Sequence, residues 1–294
     1  MREDKGKYLI INADDFGVQE STNRAVSELF EKGLITSSSL LTVAPYSKDA
    51  AKLSASRNLP VGVHLTINSD DNNNRWHGNS GVKSLSDKNG LLFNQKILAV
   101  KARSKDVTAE IDAQYQFMVD NGCKPDHADN HCGTMYGING RFFFMNAFRF
   151  CKKYDLPFRF PKNPAFLSRQ LGRKIPVPVI FAHSVLIKLA NRYDVCLLDD
   201  MISNPYSIKK IESYDDLRDY YIEELGKINP GITEVFLHPS YPIGNIPSDK
   251  ESEWLKREYE LKLLQSGDML EVAAKEKISV VSWRNAPFKG IKID

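Results

Sequence analysis

Tyr8–Gln19 reads YLIINADDFGVQ, an apolar run that ends in two adjacent aspartates, Asp14 and Asp15. Four of its first five residues are apolar, which is the signature of a short buried strand. Two like charges at the mouth of such a strand repel each other and lose hydration. The pattern therefore demands something positive close by.

Working outward from this stretch, apolar runs alternate with helical patterns. After the first strand, STNRAVSELFEKG offers Ser21 or Thr22 as an N-cap, a helical face of Ala25, Val26, Leu29 and Phe30, and Gly33 as the stop. LITSSSLLTV, LPVGVHLTI, PDHADNH, PFRFP, VCLLDD, TEVFLHP and ISVVSW read as further extended segments. Between them lie helical patterns, among them DVTAEIDAQYQFMVDNG with Ile111, Tyr115, Met118 and Val119 on one face and a long one over 251–277. Seven or eight strands alternating with helices predict a parallel α/β sheet, closed into a barrel or doubly wound. One elaborated domain over 1–294 is expected, with a partly helical insertion near 164–194 and a polar loop, NSDDNNNRWHGNSGV, after His64.

The chain of 294 residues is 42% hydrophobic and 26% charged, with a net charge of +3, so composition gives no argument for nucleic acid or a membrane surface. There is no signal-peptide-like apolar run at the start. Nothing approaches the roughly 18 apolar residues that span a bilayer. Cys123, Cys132, Cys151 and Cys196 form no C-x-x-C pair, which suits a reducing compartment. A cytoplasmic protein is expected. No Gly-rich phosphate loop points to an organic cofactor, and oligomeric state is left open, a homodimer included.

Chemistry-bearing residues gather where strands end. The first strand ends in Asp14 and Asp15, the third carries His64, PDHADNH places His127, Asp129 and His131 two apart, and TEVFLHP ends in His238. In an extended chain, residues two apart share a side. A lone strand histidine is more often a hydrogen-bonded core residue than a ligand, and paired aspartates are commonly a turn or a cap. Together, a carboxylate and two imidazoles arriving from separate strands make a three-ligand site with an open position, as catalytic metals use. Asp15 would bind the cation, and Asp14 would stay free as a base.

The motifs NADDFG, GVHLT, KPDHADNH and EVFLHP, in this order and spacing from Tyr8 to about Pro239, resemble the YdjC/ChbG carbohydrate deacetylases. The resemblance implies a distorted β/α barrel of the glycoside hydrolase/deacetylase kind. It also implies divalent-metal-dependent removal of acetyl groups from N-acetylated sugars, chitooligosaccharides above all. The metal ligands fall on Asp15, His64 and His131, and the catalytic aspartate falls on Asp14. Where the family writes H-x-D-S-H-H-H-V-H, this chain has HADNHCGTMYG, so Cys132, Gly133 and Thr134 replace the following histidines and alter the wall of the site.

His238 is the candidate acid for the departing amine, against a plain turn cap. Asp129 would hold a ligand histidine. Arg159 would orient Asp14 or meet substrate, with a surface ion pair the competing reading. Trp76 is the candidate sugar platform, because its polar loop offers little core to join. Zn²⁺ or Mg²⁺ suits the donor set, with Mn²⁺ or Co²⁺ admitted. Two other readings stand beside the deacetylase: a metal hydrolase of another amide or ester, and a non-catalytic sugar-binding protein on the same fold.

Overall fold

The computed structural model describes residues 6–70, 75–138, 140–244 and 251–288. Its strands are β1 (Lys7–Phe16), β2 (Ser37–Leu40), β3 (Val61–Leu65), β4 (Ala128–Asn130), β5 (Phe158–Pro161), β6 (Leu197–Leu198), β7 (Asp200–Ile202), β8 (Gly231–Leu237) and β9 (Ile278–Val280). The helices are α1 (Glu20–Glu31), α2 (Ser47–Arg57), α3 (Gln95–Lys101), α4 (Ser104–Asp120), α5 (Phe144–Tyr154), α6 (Ala165–Leu171), α7 (Val177–Arg192), α8 (Tyr214–Gly226), α9 (Glu251–Ser266) and α10 (Asp268–Lys275).

The strands run in the order β6-β5-β4-β3-β2-β1-β8-β7, all in parallel. β9 lies beside Lys7–Leu9 of β1, and β2 takes over that edge from Asn12 onward. VCLLDD, expected as one strand, bends at Asp199 instead: its first half pairs with β5 and its second with β8. The Asp199 N–H donates to Ile232 O at 2.8 Å, and its carboxylate accepts from the Ile232 N–H at 2.9 Å. That bend brings the sheet's two ends together into a nearly closed barrel. Gly231, at φ 130, makes room for it, since a Cβ there would stand 2.6 Å from Asp199 Oδ2.

Strand alternation explains what fills the barrel. Leu9, Ile11 and Ala13 of β1 join the large core beneath the helices, with Val61, Val63 and Leu65 of β3 and Phe158 and Phe160 of β5. Ile10 joins a smaller cluster with Leu198, Met201, Ile232 and Trp283 at the base of the interior. Above that base the inward positions are polar: Asn12, Asp14, His64, Asp129, Arg159 and Glu234 are all buried. The barrel is therefore filled by apolar packing below and by charge above.

Several expectations shift in detail. α1 begins at Glu20, and the Ser21 and Thr22 hydroxyls bond Ser240 at 2.9 and 3.1 Å rather than capping the helix. Val119 is exposed near the end of α4, outside the buried face of Ile111 and Met118. The long C-terminal helix is two, parted at Gly267 with φ 81. The extended PDHADNH segment stops at Asn130, and His131 opens a 3-10 turn, His131–Tyr136. Residues 71–74 of the polar loop lie outside the described residues. Residues 164–194 carry α6 and α7, tied back by His183, whose ring N–H donates to Pro161 O at 2.9 Å. Among the described residues no helix is long and apolar enough to cross a membrane.

Gly62 shows how tightly the interior is filled. A Cβ at this position would lie 2.4 Å from the His127 ring, which is itself stacked on Trp283 at 4.7 Å. Gly62→Ala must therefore push apart a packed stack, and overpacking of this kind costs about 1–3 kcal/mol. Thermal unfolding should show a fall of several degrees; an unchanged midpoint would mean the His127–Trp283 stack yields freely.

Candidate metal centre

β1 should point Asp14 inward and Asp15 outward. Instead the register with β2 shifts between Ala13 and Phe16, and Asp15 adopts a left-handed φ of 64. This bulge turns both carboxylates into the same site. Each then meets its own guanidinium. Asp14 takes two bonds from Arg159, at 2.7 and 2.8 Å, and one from Asn12 at 2.7 Å. Asp15 Oδ2 accepts from Arg257 of α9 at 2.5 Å. The positive charge that the adjacent aspartates require is thus supplied by two arginines of the chain itself.

The other oxygen of Asp15 faces the histidines. Asp15 Oδ1 lies 3.4 Å from His64 Nε2 and 3.4 Å from His131 Nδ1. Both Asp15 Oδ1 and His131 Nδ1 are buried without a hydrogen-bond partner, and the three ligand atoms lie within 4.8 Å of one another. Buried polar atoms are rarely left orphaned. Tetrahedral bonds of about 2.1 Å separate neighbouring ligand atoms by about 3.4 Å, so this donor set fits a cation. Four buried carboxylates, Asp14, Asp15, Asp129 and Glu234, meet only two guanidiniums, Arg159 and Arg257. The remaining charge is offset by protons on His64 and His131, whose place a divalent cation would take.

Each ligand is held from behind, as metal ligands require if they are to keep their orientation. His64 Nδ1 meets Asp129 Oδ1 at 2.7 Å, and His131 Nε2 meets Asp70 Oδ1 at 2.5 Å. Arg257 does the same for Asp15. Burial alone would raise the Asp15 carboxyl, but Arg257 and the nearby His131 and His64 rings outweigh it and hold it well below the usual range. Burial opposes charge on His64, yet the Asp129 carboxylate lifts that imidazole to about 9. For Asp129, burial is outweighed by Arg159 and His64, and its pKa is lowered.

Arg159 is buried and is no surface ion pair: it spans Asp14, Asp129 and Glu234 at 2.7–2.9 Å. His238 stands at the rim, 35% exposed, its Nε2 3.8 Å from Asp14 Oδ2 and its Nδ1 3.7 Å from Glu260. Trp76 corrects the expectation of an open platform. It is 3% exposed and packed in the core, its ring 5.5 Å from His131. Its loop folds back so that the Trp76 N–H donates to Ser69 Oγ and its carbonyl accepts from Leu92. His127 turns away from the ligand group, its Nδ1 meeting Asp126 at 2.6 Å. Asp70, Arg257 and Glu234 escaped the sequence reading. Glu234 alone left a signal, a charge amid the apolar TEVFL.

The YdjC-like protein family model matches residues 8–275. This chain belongs to the YdjC-like family. A carbohydrate deacetylase of Geobacillus stearothermophilus is 24% identical over 288 residues, 95% of this chain and 97% of that protein. A carbohydrate deacetylase of Enterococcus faecalis is 34% identical over 156 residues, 52% of this chain and 58% of the relative. A chitooligosaccharide deacetylase of Proteus mirabilis is 34% identical over 128 residues, 42% of this chain and 48% of that one. Among solved structures, a protein of Enterococcus faecalis V583, provisionally named for cellobiose-phosphate cleavage, superimposes with a TM-score of 0.73 at 26% identity, over 95% of this YdjC-like chain and 98% of its own.

Arg159→Met would leave three buried carboxylates without their cation, a loss of about 3–5 kcal/mol. The sign with pH follows. In the native protein the lowered Asp129 stabilises the fold above the unfolded carboxylate value, near pH 4. Without Arg159 the buried carboxylates are raised, so they destabilise at neutral pH and cease to do so once protonated. Denaturant unfolding should show the gap between variant and native widest at pH 7–8 and narrowing toward pH 4; a pH-independent gap would deny Arg159 this electrostatic role.

Proposed function

We propose that this YdjC-like protein hydrolyses the acetamide of N-acetylated sugars, short chitooligosaccharide-like chains included, with a divalent cation held by Asp15, His64 and His131. One observation carries the reading: Asp14 and His238, 3.8 Å apart, stand beside a three-ligand group whose buried Asp15 Oδ1 and His131 Nδ1 lack partners. The relatives named carbohydrate deacetylases support the substrate class. One carboxylate with two imidazoles favours Zn²⁺, while Mg²⁺, Mn²⁺ and Co²⁺ remain to be compared by loading. A cytoplasmic setting belongs to the same reading and rests on cysteine spacing.

A cation at this site supplies Lewis-acid polarisation of the acetyl carbonyl and lowers the pKa of water to about 7. The residues do the rest. Arg159 and Asn12 fix the Asp14 carboxylate so that Oδ2 lies toward His238. Asp14 accepts the proton of the attacking water as general base. His238, with Nε2 toward Asp14 and Nδ1 toward Glu260, is oriented to deliver a proton to the departing sugar amine. Its partial exposure suits a group that meets incoming substrate.

Acetate released from N,N'-diacetylchitobiose by metal-loaded protein is the direct test. Asp14→Asn should lower the rate by about 10²–10⁴-fold while metal content by elemental analysis stays at the native level. Asp15→Ala should lose both metal and activity. A stoichiometrically loaded native protein that releases no acetate from any N-acetyl sugar would move the reaction to another amide or ester.

A further inference from the structure

Thirteen large hydrophobic side chains are exposed among the described residues, and they are not scattered. Eleven fall on the segments that follow β3, β4 and β5, three adjacent strands of which β3 carries His64 and β4 leads directly to His131. Val100, on α3, is 83% exposed, Ile138 and Phe142, after β4, 71% and 69%, and Val177 and Phe181, on α7, 77% and 69%. Gln95, at the start of α3, donates to Cys132 O at 3.1 Å, and Arg141 donates to Ala99 O at 3.3 Å, so the first two segments are joined. Apolar exposure gathered on the segments of adjacent strands marks a docking face.

Charge identifies what the face meets. From Lys162 to Tyr193 the chain has six Lys or Arg and no Asp or Glu, and residues 91–105 and 131–154 likewise carry basic residues and no acidic one. Lys162 and Arg169 are paired with Asp199 and Asp200. Arg173 and Lys174, in the exposed link between α6 and α7, stand next to Leu171 and Val177. The chain-wide charge of +3 conceals this asymmetry. A second copy docking through the same face would bring like charges together, which opposes association. Apolar side chains rimmed by cations are instead the composition of elements that lie in a membrane interface.

We propose that the α6–α7 segment, with the neighbouring apolar loops, seats the protein on an anionic phospholipid surface, catalytic face toward the lipid. The cations meet the headgroups, and Val177, Phe181 and Phe142 enter the acyl boundary. The proposal does not depend on which bond the metal centre cleaves.

The full-length protein would be floated with vesicles of equal parts phosphatidylcholine and phosphatidylglycerol, and with phosphatidylcholine alone. We expect co-flotation with the anionic vesicles, weakened by salt, and roughly tenfold less with the neutral ones. A Val177→Glu/Phe181→Glu variant and an Arg173→Glu/Lys174→Glu variant should each bind at least about tenfold more weakly. Both should keep the native circular dichroism and unfolding midpoint, since all four side chains are exposed. Failure of the native protein to float with anionic vesicles at low salt would overturn the proposal, as would undiminished binding by either variant. A native dimer in sedimentation that Val177→Glu/Phe181→Glu dissociates would assign the face to a second copy and equally overturn it.

Discussion

The structure turns on one guanidinium in the barrel interior. Arg159 of β5 reaches Asp14 of β1, Asp129 of β4 and Glu234 of β8, each from a different strand. Burying these groups separately would cost several kcal/mol each. Burying them together satisfies the planar fork of arginine, whose five donors suit several carboxylates at fixed angles where a lysine could offer only a point charge. The price is specificity: strands that slip in register would separate the four partners, so the polar layer selects one arrangement of the barrel. Glu234, whose carboxyl burial pushes up even against Arg159, shows that the layer remains electrostatically loaded. Trp283 closes it from below, its indole N–H reaching Glu234 at 3.3 Å.

From this layer the reactive groups are built upward. Asp129 faces Arg159 with one oxygen and His64 with the other, so the same carboxylate belongs to the scaffold and to the candidate metal centre. Asp14 likewise joins the scaffold to His238 and so to the proposed proton path. Asp15 and His64 are therefore fixed by strands, and His131 by the tight turn that starts directly after β4, which is how a site keeps reactive atoms within tenths of an ångström. Only the outermost supports come from elsewhere: Asp70 from the loop after β3 and Arg257 from α9.

That division also explains what could be read in the sequence. That Asp14, Asp15, His64 and His131 come together was legible because strand ends in a parallel barrel converge, so ligand-type residues at several ends meet in one place. Asp70 and Arg257 were not, because a carboxylate in a polar loop and an arginine on a helix look like ordinary surface charge until the fold brings them to His131 and Asp15. Trp76 was misread for the complementary reason. Local polarity suggested an exposed ring, whereas the loop closes over it through Ser69 and Leu92. The bend at Asp199 that closes the sheet is likewise invisible in VCLLDD, because it depends on a hydrogen bond to a strand that lies more than thirty residues onward.

The departure at Cys132, Gly133 and Thr134 is best understood through backbone geometry. Cys132 and Gly133 adopt φ of 53 and 63 within the turn that begins at His131. A side chain on Gly133 would run into Ile138, with a Cβ only 2.1 Å from its Cδ1. A histidine there would be strained by the left-handed backbone and would have to displace the exposed Ile138 side chain. The tight reversal leaves His131 with its Nδ1 toward Asp15 while the Cys132 carbonyl turns to Gln95 of α3. The residues that separate this chain from its family's usual pattern thus preserve the ligand and rebuild the rim. The candidate metal centre is held by the strands and the turn that starts at His131, and its rim is built by the loops above them.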